Sequence, residues 1–278
     1  MQRQIAGRRI LSVTLGKTDF IDNPEEIERE LPGRAIREVV RYGKFLLLRL
    51  AQKQDVVEET ERESALLVHL GMTGMLTSQP AGEAHAKHTH VVALLDDGRE
   101  LRYSDPRRFG RMAYLAGETL QEELKRFGAD PLEAGLEEFT ARICGKRARI
   151  KALLLDQRVL RGVGNIYADE SLWKAKIHPM RLGARLRREQ VGKLYRALQG
   201  ILERAIVMRG SSIADFLDAE GQPGEYQRHH KAYGREGKPC FRCKTRIKRV
   251  IVVGRSSYFC PVCQKAPRGM SRRGRGKR

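Results

Sequence analysis

Cys240-Phe241-Arg242-Cys243 and Cys260-Pro261-Val262-Cys263 bracket the 16 residues from Lys244 to Phe259. Each pair has the two-residue gap that lets two thiolates reach one metal from a tight turn, and four soft sulfur ligands suit tetrahedral Zn²⁺. The intervening Arg246-Ile-Lys-Arg-Val-Ile-Val-Val-Gly-Arg-Ser-Ser-Tyr-Phe259 alternates like a β-hairpin. The reading is a zinc-stapled finger rich in arginine, with Cys240, Cys243, Cys260 and Cys263 as ligands of one structural Zn²⁺ and a polyanion as partner. Two disulfides are the competing reading of the same cysteines. Cys144, the fifth, reads as a small buried hydrophobe.

The rest of the chain agrees with a polyanion. Across 278 residues, 54 Lys+Arg stand against 34 Asp+Glu, a formal charge of +20, which favours nucleic acid or an acidic membrane surface. No apolar stretch is long enough to span a bilayer and no signal peptide opens the chain. Cytoplasmic thiolates that hold metal are therefore expected, and no membrane partner. The tail Ser271-Arg-Arg-Gly-Arg-Gly-Lys-Arg278 has neither apolar nor acidic residues, so it is expected to be disordered and to bind phosphate weakly.

The first half reads as β. Ile10 to Leu15, Phe45 to Leu50, Ala65 to Leu70, His90 to Leu95 and Arg99 to Tyr103 are short strand-like runs separated by turn signals such as Asp96-Asp-Gly98. That spacing suggests a sandwich or barrel. Asn23-Pro24 reads as the cap and first turn of a short helix. From about residue 119 the spacing becomes helical: Leu120 to Arg126, Leu136 to Cys144, Ile150 to Asp156, Ala168 to Lys176 and Arg188 to Val207.

Several segments carry chemistry. Arg161-Gly-Val-Gly164-Asn165 joins two helical runs. Its glycines allow a close backbone approach to an anion, with a helix starting near Tyr167, or simply a tight helix–helix turn. Lys146, Arg147, Arg149 and Lys151 precede it. Asp105-Pro-Arg107-Arg-Phe109-Gly110 presents two guanidinium groups and a ring, or else is a structural turn with Phe109 in the core. Met72, between glycines, reads either as a wedge or as core. Lys44 before the apolar run from Phe45 either snorkels to solvent or acts as an acid or amine in a cationic site.

Taken together these motifs resemble the bacterial formamidopyrimidine-DNA glycosylase and endonuclease VIII family, from about Ile5 to Cys263. The resemblance rests on Gly43-Lys44-Phe45, His69-Leu-Gly-Met72-Thr-Gly, Lys87-His88-Thr-His90, Asp105 to Gly110, Leu155-Asp-Gln-Arg-Val-Leu-Arg-Gly-Val-Gly-Asn165-Ile-Tyr-Ala-Asp-Glu-Ser-Leu172, Tyr233-Gly-Arg and the four cysteines. It implies an α+β protein. An N-terminal β-sandwich lobe would take residues 1–118, a helical lobe with a helix–two-turn–helix motif 119–232, the zinc finger 233–265 and the basic tail 266–278. DNA would lie in the cleft between lobes with the damaged nucleotide flipped out.

The implied activity is excision of oxidised purines, 8-oxoguanine and formamidopyrimidines, followed by β- and δ-elimination at the abasic site. By position, Met72, Arg107 and Phe109 are implied to fill the vacated stack. His88, Arg107, Lys146, Lys151 and Asn165 are implied to contact DNA, Lys44 to donate the proton for β-elimination, and Arg255 to serve the flipped-out site and δ-elimination. A monomer on double-stranded DNA in the bacterial cytoplasm, at the nucleoid, is expected. The family's N-terminal helix and its Pro-Glu pair, which supplies the attacking amine, have no counterpart in Met1-Gln-Arg-Gln-Ile5. Upstream residues that supply the pair are the expectation, and a catalytically impaired lesion- or abasic-DNA-binding protein is the alternative.

Overall fold

A computed structural model describes residues 1–51, 63–212 and 222–267. The predicted disordered stretch 271–278 lies outside them. Two compact units are present, the first centred on Met1–Arg126 and the second on Phe127–Gly210.

The first unit is a β-sandwich. One antiparallel sheet runs in the order β1 (Ile10–Leu15), β6 (Thr89–Leu95), β7 (Arg99–Ser104), β5 (Met75–Pro80). The other runs β2 (Ile36–Tyr42), β3 (Phe45–Leu50), β4 (Ser64–His69), β8 (Arg111–Ala116). Period-two alternation sorts the side chains. Leu48, Leu50, Leu66 and Val68 face the shared core with Val91, Ala93, Leu101 and Tyr103. Leu47, Ala65 and Leu67 point the other way, onto Leu120. That second covering explains why β4 is apolar on both faces.

Leu120 lies on α3 (Gly117–Lys125), which packs on β8 and β4. Residues 119–126 therefore belong to the first unit, not to the helical one that the change of periodicity at 119 suggested. A short α1 (Gln2–Ile5) is also present, with Ile5 fully buried, where the sequence suggested that the N-terminal helix was missing. In α2 (Pro24–Glu30), Asn23 sits at the cap position without capping. Its side chain instead bonds Tyr114, donating to the carbonyl at 3.1 Å and accepting the N–H at 3.3 Å.

The second unit holds α4 (Leu136–Ile143), α5 (Ile150–Leu155), α6 (Asn165–Lys174) and α7 (Arg188–Val207), then a hairpin of β9 (Lys248–Val252) and β10 (Arg255–Phe259). The helices bury Phe139, Ile150, Leu154, Leu172, Val191 and Leu198 together, with Cys144 half-buried against them. Between α5 and α6, Gln157 clamps the turn by accepting from the Gly162 N–H at 2.9 Å and donating to the carbonyls of Leu155 and Val163. Among the described residues, no helix is long and apolar enough to cross a membrane.

Candidate nucleic-acid interface and metal centre

In the first unit a single carboxylate organises the predicted wedge. Asp105 is fully buried. Its Oδ1 accepts the Thr73 hydroxyl at 2.6 Å and the Arg107 N–H at 3.2 Å. Its Oδ2 accepts the Gly110 N–H at 3.0 Å and the Tyr103 hydroxyl at 3.2 Å. One acid thus binds the turn carrying Met72 to the turn carrying Arg107 and Phe109. Burial alone would raise its carboxyl, but bonds from Thr73, Gly110 and Arg107 hold it below the ordinary carboxylate value. The same burial and the Asp105 charge push the Tyr103 phenol upward.

Two glycines let the turns touch. Gly71 has φ +63°, and a Cβ there would lie 2.7 Å from the Phe109 carbonyl; a Cβ on Gly110 would overlap the Tyr103 hydroxyl at 1.8 Å. Held this way, Met72 stays 55% exposed and Phe109 56%. The Arg107 guanidinium stacks 4.5 Å from the Phe109 ring centroid. The core alternative for these two apolar residues is thereby excluded. Arg108 turns aside to pair with Asp19 at 2.8 Å.

Lys44 occupies the two-residue hairpin turn Gly43-Lys44 and is exposed. Phe45 pairs with His69, and His69 with Arg111. Burial first, then the charges of Lys44 and Arg111, lowers the His69 pKa, so the ring is neutral at pH 7. Its Nδ1 accepts the Gly71 N–H at 3.1 Å, which leaves the proton on Nε2. His69 was missed as a candidate, although it opens the segment quoted for Met72. His88 is exposed at φ 72° and its carbonyl accepts the Asp105 N–H at 3.1 Å.

In the second unit one carbonyl of the hairpin is shared by α5 and α6. Ser256 O accepts Lys151 Nζ at 2.8 Å and Asn165 Nδ2 at 3.1 Å. The neighbouring Arg255 is exposed beside the turn Val253-Gly254. Lys151, Asn165 and the chain at Arg255 are therefore brought together. Asn165 begins α6, two residues earlier than expected, and its Oδ1 is buried without a hydrogen-bond partner among the described residues.

Lys151, expected at a phosphate, is fully buried. Its ammonium meets Asp169 at 2.6 Å. Burial pushes the Asp169 carboxyl up to about 6 and the Lys151 ammonium down, and their attraction opposes both shifts. Such a lysine ties elements together and presents no charge to solvent. Lys146, by contrast, is exposed in the segment between α4 and α5.

The finger is fastened along the whole of α6. Asp169 Oδ2 accepts the Tyr258 N–H at 3.0 Å. Glu170, buried, accepts the N–H groups of Lys231, Ala232 and Tyr233 at 2.8–2.9 Å. Arg242 donates to the Trp173 and Lys174 carbonyls and stacks 3.9 Å from the Trp173 ring centroid. Gln264, also buried, spans Cys260 N–H and Ile177 O at 2.8 Å each. Asp169, Glu170, Arg242 and Gln264 were not sequence candidates.

The four thiol sulfurs lie within 4.8 Å of one another. Tetrahedral Zn–S bonds of about 2.3 Å put sulfurs about 3.8 Å apart. The Cys243–Cys260 and Cys243–Cys263 separations of 3.4 and 3.5 Å are far from the ~2.05 Å of a disulfide. The set fits one structural Zn²⁺.

The formamidopyrimidine-DNA glycosylase N-terminal domain model matches residues 1–112 and its H2TH domain model residues 127–216. The zinc finger found in FPG and IleRS matches residues 237–266. The formamidopyrimidine-DNA glycosylase of Solibacter usitatus is 43% identical over 264 residues, 94% of each chain. That of Herpetosiphon aurantiacus is 40% identical over 269 residues, 95% of each. Among solved structures, the Lactococcus lactis Fpg complex with abasic-site DNA superposes with a TM-score of 0.83 at 30% identity, covering 95% of both chains. The same protein with Fapy-dG-containing DNA gives 0.82 at 30%, covering 95% of this chain and 96% of that one. Three domain models in order, full-length relatives near 40% identity and a cysteine cluster of matching type lead to one assignment: this chain belongs to the formamidopyrimidine-DNA glycosylase family.

Proposed function

We propose that the protein is a DNA glycosylase and abasic-site lyase of base-excision repair, acting as a monomer on oxidised purines in double-stranded DNA of the bacterial nucleoid. One observation carries the reading. Two large apolar side chains, Met72 and Phe109, stand more than half exposed on turns pinned by the buried Asp105, with Arg107 stacked beside them. Exposed wedges on a rigid mount are what a protein needs to hold a base stack open. The relatives' name, and the solved complexes with abasic-site and Fapy-dG DNA, support the choice of lesion class.

A base inside a duplex cannot be reached at C1′, so it must leave the stack, at a cost of a few kcal/mol that is least for damaged or mispaired bases. Met72 and Phe109 fill the space left behind, and Arg107 bonds the orphaned partner. His88, Lys146 and Asn165 bond phosphates, which offsets the extrusion cost, and Arg255 serves the flipped-out site and δ-elimination. Asn165 suits a phosphate because it begins α6, beside helix N–H groups that have no partner within the helix. Lys151 acts indirectly, by fixing the Ser256 carbonyl.

Chemistry follows once the sugar is exposed. An amine displaces the base at C1′, the iminium acidifies the C2′ proton, and elimination breaks the 3′ C–O bond and then the 5′ one. Lys44, exposed at the hairpin turn near His69 and Arg111, supplies a proton to the elimination. Zn²⁺ on the four cysteines contributes structure, holding the hairpin that carries Arg255.

Strand cleavage of a duplex with one 8-oxoguanine tests the proposal. Cleavage at that position is expected. Tight lesion binding without cleavage would instead indicate a lesion-binding protein. Lys44→Ala is expected to slow cleavage at a pre-formed abasic site by about 10²-fold or more, with affinity for that duplex unchanged. An unaltered cleavage rate would remove Lys44 from the chemistry.

A further inference from the structure

The loop 81–88 is exposed throughout, yet its backbone is held from inside. The holder is Arg102, in the middle of β7 and only 2% exposed. All three guanidinium nitrogens are used. Nε donates to Glu100 Oε2 at 2.7 Å. Nη1 donates to Gln79 Oε1 at 2.8 Å and Ala84 O at 3.4 Å. Nη2 donates to Glu83 O at 2.9 Å and Pro80 O at 3.3 Å. Five contacts account for the five N–H donors of an arginine, and three of them are carbonyls within residues 80–84.

The next anchors follow along the chain. His85 Nε2 meets the same Glu100 oxygen at 2.9 Å. The Thr89 N–H and hydroxyl both donate to Ala86 O, at 3.1 and 2.8 Å. The Asp105 N–H donates to His88 O, and His88 is held at φ 72°, a conformation uncommon without glycine. The span that carries Lys87 and His88 is thus stretched between fixed points.

A plain packing role accounts poorly for Arg102. It is not part of the apolar core between the sheets. Burying a guanidinium costs free energy that a methionine of similar reach would not. What the arginine supplies, and an apolar residue or a lysine cannot, is a planar fork that satisfies several loop carbonyls at once.

We infer that Arg102 is a positioning residue for DNA binding, holding loop 81–88 so that His88 and Lys87 meet the phosphate backbone in a preset geometry. The inference rests on the proposed role of His88. Two readouts on the full, zinc-loaded chain test it: amide exchange of residues 83–88, and the salt dependence of affinity for an abasic-site duplex. Arg102→Met is expected to raise exchange in that loop about tenfold or more while β3 and β4 stay protected. It should also weaken binding to that duplex and lower its salt slope at least as much as His88→Ala does, and the double variant should lose no more than Arg102→Met alone. Arg102→Lys should fail to rescue, and it carries the test if Arg102→Met does not fold. Unchanged loop exchange, or additive losses in the double variant, would overturn the inference. If loop exchange rises but His88→Ala binds DNA normally, the role of His88 fails and takes the inference with it, by a route separable from failure of the anchor.

Discussion

Cys260→Ser is expected to weaken binding to an abasic-site duplex by about 100-fold or more at physiological salt, since metal binding in such fingers supplies the folding free energy, on the order of 10 kcal/mol. The finger has almost no other core. Cys240 and Cys260 themselves make up part of its buried cluster, with Trp173, Ala232 and Ile247. Once the hairpin loosens, Ser256 O no longer receives Lys151 and Asn165, and Tyr258 N–H no longer reaches Asp169. A buried ammonium and carboxylate then lose their remaining partners, so the damage passes to the start of α6, where Asn165 sits. Trp173, the chain's sole tryptophan, lies against the cysteines and reports the event by fluorescence. Zinc content, fluorescence and affinity should fall together, and a chelator should reproduce the loss. Full affinity in zinc-free protein would contradict this account of the finger.

Asp105→Asn is expected to destabilise the first unit by about 2–4 kcal/mol, because unmade buried hydrogen bonds cost about 1–3 kcal/mol each. The carboxylate accepts four donors, two on each oxygen. An amide presents its NH₂ to one of those pairs whichever way it is turned. The turns bearing Met72 and Phe109 then come apart, and discrimination between abasic-site and intact duplex should fall about tenfold as the wedge loses its mount.

The acid limb of stability should change too. The folded-state pKa of Asp105 lies below the ordinary value, so its contribution is complete above about pH 3.9 and is lost as pH falls through the lower folded value. The asparagine variant lacks that loss. Thermal melts of both proteins between pH 2.5 and 7 measure this, and parallel pH curves would count against the role given to Asp105.

Legibility from sequence followed burial. The strands recognised beforehand include β3, β4, β6 and β7, each paired on both sides. Those missed were β2, β5 and β8, all at sheet edges. Edge strands need less apolar surface and carry charges or proline, as in Ile36-Arg-Glu-Val-Val-Arg-Tyr42 and Met75-Leu-Thr-Ser-Gln-Pro80, so their alternation is faint. The cysteine spacing was readable because metal geometry constrains it locally.

Asp105 was visible only as the start of a turn. Its function depends on Thr73, 32 residues away, whose approach no local pattern encodes. Lys151 reads as a surface charge for the same reason, since its burial is made tolerable by Asp169 on another helix. Arg102 and Glu170 are charged residues at positions where periodicity predicts only solvent or core, and most of their partners are backbone groups that leave no trace in composition.

The central claim is that Met72, Arg107 and Phe109, on their Asp105 mount, keep a base stack open. Its most direct test is the ratio of affinities for abasic-site and intact duplexes at one fixed salt concentration, in the parent chain and in a Met72→Ala/Phe109→Ala double variant. The account predicts a ratio of roughly 10³ or more for the parent, at the lower end of the usual range for specific over non-specific DNA binding. It predicts a fall of about tenfold or more in the double variant, with affinity for intact DNA little changed. Equal affinity of the parent for both duplexes, or a ratio untouched by the double substitution, would contradict it.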